Sequence, residues 1–485
     1  MNLSAKIAYN TLIQVAGKIL ATVLSFISLM LMTRYLGPSS FGEYTTAFTF
    51  ISIFAVCADF GLTLVTSRLL SAPEANEKKI ISNLFGLRIV LAVGLVGLAP
   101  LLIFTFPYSA SVKIAVLFGA AGFVFPLFNQ IFVGFFQKKL NLIYVAIAEV
   151  VNRIIFLAAI IISIQKNFGL NGIMIGLTIS AFASFLIHYY FAGKETNVRP
   201  AWDFKYWGEI LKTSWPLAVT IILNLLYLKA DTLLLSLFKP QQEVGLYGAA
   251  YRIVEVLNSL PYIFAGLILP VLSAAWLSKN LEKYHKVLQK SFDLTMIAII
   301  PLIVGGQMVA GGIIYLMAGK DYFAAGPILQ ILLVAVGFVF VSCLFTHAII
   351  AIDKQKKIIG AYLFTSVSAL ALYLWLIPRY SYYGAAIATV YSELAISAAS
   401  IYLVYRYSSF RPNLKILPKV LASSFLMSLF LFFSPKTLKD SNWGIVALII
   451  GGAIIYFLAL YLLRGLKKSD IRSVLNKKSN LEIHV

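Results

Sequence analysis

Apolar runs follow one another along the whole chain, each closed by a short polar connection. A helix of about 20 apolar residues crosses a hydrocarbon core roughly 30 Å thick, and the pattern predicts fourteen such helices. They fall at roughly 9–32, 42–66, 80–104, 113–136, 140–163, 170–192, 209–237, 244–272, 291–317, 324–352, 358–377, 383–405, 416–434 and 443–463. The longest connection, Gly193–Gly208, is too short to hold a soluble domain. The expected fold class is an all-α polytopic membrane protein, because in lipid a helix satisfies its own backbone hydrogen bonds.

The pattern also repeats. RYLGPSSFGEYTTA (34–47) and DTLLLSLFKPQQEVGLYGAAYRI (231–253) each place a Pro after an apolar run, at Pro38 and Pro240. Each then opens the next run with Gly-x-Tyr, at Gly42–Tyr44 and Gly245–Tyr247. Gln137-Lys138-Lys139 matches Gln355-Lys356-Lys357, Tyr144 matches Tyr362, and Gly172 matches Gly384. Each half therefore holds six helices, and an even number preserves orientation. The halves are expected to be related by an axis along the membrane normal, as in parallel-repeat transporters. The expected organisation is an N-terminal six-helix lobe (1–200), a second six-helix lobe (201–410), and two further helices with a basic tail (411–485).

Composition agrees with the pattern. Of the 485 residues, 60% are hydrophobic and 12% charged, where an ordinary soluble protein carries about 25% charged residues. A net charge of +21 raises the question of a nucleic-acid partner, but no basic segment is interleaved with aromatics as such a surface requires. Instead, Lys and Arg gather in alternate connections, 27 on one side against eight on the other. The positive-inside rule then puts both termini in the cytoplasm, and an even helix count requires them on one side. Lys6 alone precedes the first run, which reads as a retained helix and not a signal peptide. Cys57 and Cys343 sit inside apolar runs and read as packing residues. The four histidines have no zinc spacing, no phosphate-binding G-x-x-x-x-G-K-[ST] loop is present, and no long loop holds a carboxylate pair. Transport is expected, without catalysis, cofactor or metal.

Within the runs lie five cations, Lys18, Arg88, Arg153, Lys229 and Arg252, and five acids, Asp59, Glu149, Asp231, Glu255 and Glu393. A charge at the bilayer centre costs about 2.5–3.5 kcal/mol or more, so each should face a partner or a water-filled cavity. Asn10, Gln14 and Lys18 share one helical face, and Thr213, Thr220, Asn224, Tyr227 and Asp231 share another. Arg252 and Glu255 are three residues apart and can pair, and so can Glu149 and Arg153 at four, as a packing pair. Lys18 and Arg88 have no acid within one helical turn, which points to an anionic substrate. The candidate substrate-binding set is Lys18, Arg88, Arg252, Asn224 and Tyr227, and the candidate ion-coupling set is Asp231, Glu255 and Glu393.

Four stretches resemble the polysaccharide-biosynthesis flippases of the multidrug/oligosaccharidyl-lipid/polysaccharide exporter superfamily. They are residues 34–47 and 231–253, YLMAGKDYFAAGPILQIL (315–332), and IPRYSYYGAAIATVYSEL (377–394). The resemblance spans the first twelve helices. It implies an inner-membrane flippase for polyprenyl-diphosphate-linked oligosaccharides in cell-surface polysaccharide biosynthesis, working by alternating access. It also implies two six-helix lobes forming a V around a cationic cavity, with the lipid-linked oligosaccharide, membrane lipid and polysaccharide assembly proteins as partners and no nucleic acid. By position, Asp231, Gly245, Tyr247 and Arg252 fall on the family's helix seven–eight motif, and Gly384, Ala385 and Glu393 on its helix twelve motif. Lys18 is similar in placement to the first-helix cation of related lipid II flippases, which favour Arg there. Ion-coupled drug antiporters of the superfamily, the alternative reading, keep an acid in that helix. A glycan polymerase or ligase, the alternative of another class, would need a large outward loop.

The cation count generates a topological prediction. In a chain whose two native cysteines are replaced, cysteine labels at Lys239 and Lys320 should react with an impermeant reagent from outside. A label at Lys283 should not, and the reversed pattern would overturn the orientation.

Overall fold

In a computed structural model that describes residues 3–70, 76–196, 198–439 and 441–465, the described chain is helical and contains no strand. The helices are α1 (Leu3–Asp59), α2 (Leu62–Leu70), α3 (Glu77–Leu91), α4 (Gly97–Leu102), α5 (Ala110–Lys139), α6 (Ile143–Gln165) and α7 (Gly169–Glu195). They continue as α8 (Phe204–Phe238), α9 (Gln241–Leu277), α10 (Leu281–Ala318), α11 (Ala325–Ala351) and α12 (Gln355–Ser408). The chain then forms α13 (Leu417–Phe433), α14 (Lys436–Lys439) and α15 (Asn442–Leu462).

Among the described residues, ten helical stretches are long and apolar enough to cross a membrane. Two of them are too long for one crossing. The 57 residues of α1 and the 54 of α12 would extend about 80–85 Å as straight helices, against a roughly 30 Å core. Each breaks once instead, α1 at Gly37 (φ 66°) and α12 at Ser381 (φ 53°). Each therefore supplies two passes. With α8 (35 residues) and α13 (17 residues), the passes number fourteen, as the apolar pattern predicts. The difference lies in the connections: the first and second expected helices, and the eleventh and twelfth, run on as bent helices with no loop between them. The chain is a polytopic all-α membrane protein.

Chain contacts divide the protein into two compact units. The first runs from the start of the described chain to Ala249, and includes Met317–Tyr322 and Ser366–Ala388. Within it α1 is held to α6 at several heights. The Asn10 side-chain oxygen accepts from the Leu142 N–H at 2.9 Å, and Gly17 leaves room for Ala146. At the far end the Tyr35 hydroxyl donates to the Ser163 carbonyl at 2.9 Å and accepts from the Gly169 N–H at 3.0 Å. Side-chain caps from Asn76, Ser109 and Asp203 start α3, α5 and α8 by satisfying N–H groups that have no partner inside the helix.

The tightest approach in this unit joins the two repeated stretches. A side chain on Gly42 would overlap the Gln241 carbonyl oxygen, and one on Gly245 would overlap the Pro38 carbonyl oxygen. Gly42 and Gly245 are equivalent in the repeat, and in the register that they set Pro38 falls on Gln241, one residue past Pro240. This reciprocity, in which i meets j as j′ meets i′, is the mark of a two-fold relation between the stretches. Gly248 seats the Thr45 side chain beside the same seam.

The second unit comprises Ala250–Leu316, Phe323–Thr365 and the chain from Thr389 onward. Here α10 carries the last two passes: Ile297 packs with Val420, Met427 and Leu431 of α13 and with Leu448, Tyr456 and Leu460 of α15. The Tyr456 hydroxyl donates to the Ile297 carbonyl at 2.8 Å. Between α10 and α11, Gln307 and Gln330 each donate a side-chain N–H to the other's carbonyl at 2.8 Å. Ser397 of α12 donates to the Phe338 carbonyl of α11 at 2.7 Å.

The glycine seam predicts the effect of bulk. Gly42→Val or Gly245→Val should destabilise the purified protein by at least ~1–3 kcal/mol, the usual cost of overpacking. The open position Gly208 should take Ala with no loss, or with a gain of up to ~1 kcal/mol. Thermal melts decide the matter, and seam variants that unfold with the wild type would remove the seam from the account.

Candidate functional site

Parts of all four stretches that carry the resemblance meet in the first unit. Phe41 stacks on Tyr44 at 5.7 Å and meets Tyr322 edge-on at 6.1 Å. The Tyr322 hydroxyl donates to the Thr33 carbonyl at 3.2 Å, and the Thr33 hydroxyl reaches the Met317 carbonyl at 3.3 Å. Lys239 donates its ammonium to the Pro378 carbonyl at 3.0 Å, and Ser381 donates its hydroxyl to Glu243. Thr46 donates to the Gln241 side-chain oxygen at 2.7 Å. Glu43 accepts from the hydroxyls of Ser109 (3.0 Å) and Ser111 (2.7 Å). Glu43, Lys239, Glu243 and Ser381 carry contacts that the sequence reading did not assign. Their one signal was position inside or beside the repeated stretches.

Asp231 lies under this cluster, fully buried. One carboxylate oxygen accepts from the Tyr247 hydroxyl at 2.6 Å, and the other accepts from the Thr232 N–H at 2.5 Å. Such bonds to a buried carboxylate are strong and directional, so Asp231 fastens α8 to the start of α9. That geometry is a joint between helices.

Arg88 has a partner that the sequence reading did not see. No acid lies within a helical turn of it, but α1 supplies one. Its guanidinium is 1% exposed and lies 3.0 Å from an Asp59 carboxylate oxygen. The guanidinium also donates to the Thr63 hydroxyl at 3.1 Å and to the Leu127 carbonyl. Thr63 in turn donates to Asp59 at 2.5 Å. The cation is thus compensated by a neighbouring helix, and the reason for reading it as a substrate ligand falls away.

A second correction concerns Glu149 and Arg153. At four residues apart they were expected to pair, yet no ion pair joins them, and the Arg153 Nε is buried without a hydrogen bond. Helical spacing makes such a pair possible, but packing against α1 and α7 decides where the side chains go. Lys18 is exposed on α1, one residue beyond the Gly17–Ala146 contact. Asn10, expected on the same face, is buried against α6, because a four-residue step drifts around the helix. The side chains of Asn224 and Tyr227 lie outside the described residues.

The second unit holds the other candidates. Arg252 and Glu255 pair as their spacing predicts, at 2.7 Å, with side chains 23% and 33% exposed. The pair is half-open, so breaking it costs less than breaking one wholly withdrawn from water. Glu393, on the second leg of α12, is 5% exposed. Lys18, Arg88 and Asp231 thus belong to the first unit, and Arg252, Glu255 and Glu393 to the second.

The fold defines a multi-pass helical membrane protein. Superposed on the lipid II flippase MurJ in an inward closed conformation, the chain gives a TM-score of 0.78 at 17% identity, covering 96% of this chain and 99% of that one. The family model described as polysaccharide biosynthesis protein matches residues 6–276, more than half of the chain. The chain belongs to that polysaccharide biosynthesis protein family. A Shigella flexneri protein named as an O-antigen transporter is 22% identical over 393 residues, 78% of this chain and 93% of its own length. A Haloferax volcanii protein named as a low-salt glycan biosynthesis flippase is 21% identical over 459 residues, 93% of this chain and 95% of its own.

The Arg88 site generates a stability prediction. Arg88→Leu strands Asp59 and should cost about 3–5 kcal/mol, while Arg88→Leu with Asp59→Leu should recover much of the loss. Denaturation in detergent measures both, and a single variant as stable as the wild type would contradict the pairing.

Proposed function

We propose that this protein flips a polyprenyl-diphosphate-linked oligosaccharide from the cytoplasmic to the outer leaflet of the cell's inner membrane for surface-polysaccharide synthesis. The observation that carries this reading is the family match over 6–276 together with near full-length similarity to proteins named as O-antigen and glycan flippases. Both termini lie in the cytoplasm, and the two six-helix lobes (1–200 and 201–410) move about the substrate by alternating access. Residues 411–485 lie outside the repeat. Proteins that assemble the polysaccharide are the expected partners.

A diphosphate carries about two negative charges and several acceptor oxygens. Lys18, exposed on the first pass (9–32), which carries no acid, offers one cation. Arg252, half-open beside Glu255, offers a planar donor fork that suits phosphate oxygens. Asn224 and Tyr227 complete the proposed binding set. Arg88, occupied by Asp59, is assigned to structure. With Lys18 where drug antiporters keep an acid, a cationic drug is disfavoured as substrate.

Replacing Arg252 and Glu255 together with Gln removes both charges and should leave the fold intact. Flipping in proteoliposomes should fall about tenfold to a hundredfold, as expected when one charge-assisted contact worth ~1.5–3 kcal/mol is lost. Arg252→Lys should keep part of the activity. Near-normal flipping by the double variant, at matched reconstitution, would return Arg252 to a purely structural role.

A further inference from the structure

The second leg of α12 ends beside a groove that lies within the second unit. From the break at Ser381 to its end at Ser408 this leg extends about 40 Å, enough to cross a roughly 30 Å core. Its last turns therefore reach the headgroup level, a depth that Tyr and Trp favour. There Ala398, Ile401, Tyr402 and Tyr405 of α12, with Phe410 and Arg411 beyond it, line a cavity of about 480 Å³.

The floor of the groove is fixed. Phe410 is buried, its ring centroid 5.6 Å from that of His285 and 6.4 Å from that of Phe345. Asn413 donates its backbone N–H to the Gln289 side chain at 2.7 Å, and Gln289 donates back to the Asn413 carbonyl at 2.9 Å. The His285 ring nitrogen lies 2.7 Å from the Ser408 carbonyl oxygen. That contact covers a carbonyl at the helix end, where an uncovered one would disfavour an anion.

The mouth of the groove carries donors. The Arg411 guanidinium lies over the Tyr405 ring at 4.9 Å and donates to the Tyr405 hydroxyl at 2.7 Å. Arg406 donates to the Tyr402 hydroxyl at 3.4 Å. Neither guanidinium forms an ion pair among the described residues. Each phenol oxygen accepts from an arginine, so its own proton remains for another acceptor. Two planar forks and two hydroxyl protons suit phosphate oxygens, and the lining holds no carboxylate for an ammonium headgroup. Away from the arginines the surface turns apolar. Leu394, Ala398, Ile401 and Tyr405 recur at three- and four-residue steps, one stripe along α12 towards the membrane interior.

We propose that this groove binds one anionic phospholipid of the phosphatidylglycerol type. Arg406, Arg411 and the two phenols hold its phosphate, and one acyl chain lies along the Leu394–Tyr405 stripe. A free phosphate would use the mouth alone, whereas a lipid uses the mouth and the stripe. The site does not depend on the cargo proposed above.

Native mass spectrometry of the full-length protein, titrated in detergent with phosphatidylglycerol or phosphatidylethanolamine, counts bound lipids directly. One phosphatidylglycerol should bind in preference to phosphatidylethanolamine. Arg406→Gln with Arg411→Gln should weaken that binding roughly thirtyfold, from about fivefold for each cation near an anionic headgroup. Lys356→Gln with Lys357→Gln, which removes the same charge from the exposed first turn of α12, should leave it unchanged. Arg406→Lys with Arg411→Lys should keep part of it, since charge remains without the planar forks. Ala398→Trp fills the groove with both arginines in place and should also weaken binding. Glycerophosphoglycerol, the same headgroup without chains, should not compete. Equal retention of the two lipids, or equal loss in the two Gln double variants, would overturn the site. Unaltered binding in Ala398→Trp, or competition by the chainless headgroup, would reduce it to a phosphate-binding surface and overturn the lipid.

Discussion

Hydrocarbon does not tolerate a charge without compensation, and this protein answers that constraint in four ways. Arg88 is enclosed with Asp59, Thr63 and a backbone carbonyl until every group but its Nε has a partner. Asp231 is held by hydrogen-bond donors, among them a phenol and a backbone N–H. Arg252 and Glu255 form a pair and keep an open side. Among the described residues, Glu393 has neither cation nor donor. The four arrangements form a series from closed to available, and chemistry belongs at the available end. Buried ion pairs are poor evidence of activity because their partners are already chosen.

The stretches that mark the family serve architecture first. The parts of residues 34–47, 231–253, 315–332 and 377–394 that lie in the first unit are far apart in the chain but meet around Phe41, Tyr322, Lys239 and Ser381. Their glycines, prolines and tyrosines make bends, close approaches and hydroxyl-to-carbonyl bonds. The cations suited to an anionic lipid headgroup, Lys18 and Arg252, sit outside or at the margin of that cluster. A motif of this kind identifies the machine and says little about the cargo.

The passes were legible in the amino-acid pattern because lipid imposes one rule on every residue of a span. The breaks at Gly37 and Ser381 fall inside connections the pattern expects, but that the helix runs on through each with a single bent residue was not legible, since one non-helical residue and a short loop leave the same gap in the apolar runs. Arg252–Glu255 was legible because both partners lie on one helix. Arg88–Asp59 was not, because its partners are 29 residues apart and meet only after α1 and α3 pack. Glu149–Arg153 failed for the opposite reason: adjacency on a helix permits a pair, and tertiary contacts decide whether it forms. The seam at Gly42 and Gly245 left only the faint trace of a repeated Gly-x-Tyr, because the contact involves backbone atoms.

That seam has a kinetic meaning. Each carbonyl fills the hollow where a side chain is missing, so the surfaces meet through weak Cα–H···O contacts worth perhaps ~0.5–1 kcal/mol each. The fit is narrow in shape and shallow in energy. Parting it breaks no salt bridge between the glycines and their carbonyls, and re-forming it requires no search through rotamers. Two helix ends joined this way can be held in one register by shape, with little bond energy to be broken before they part.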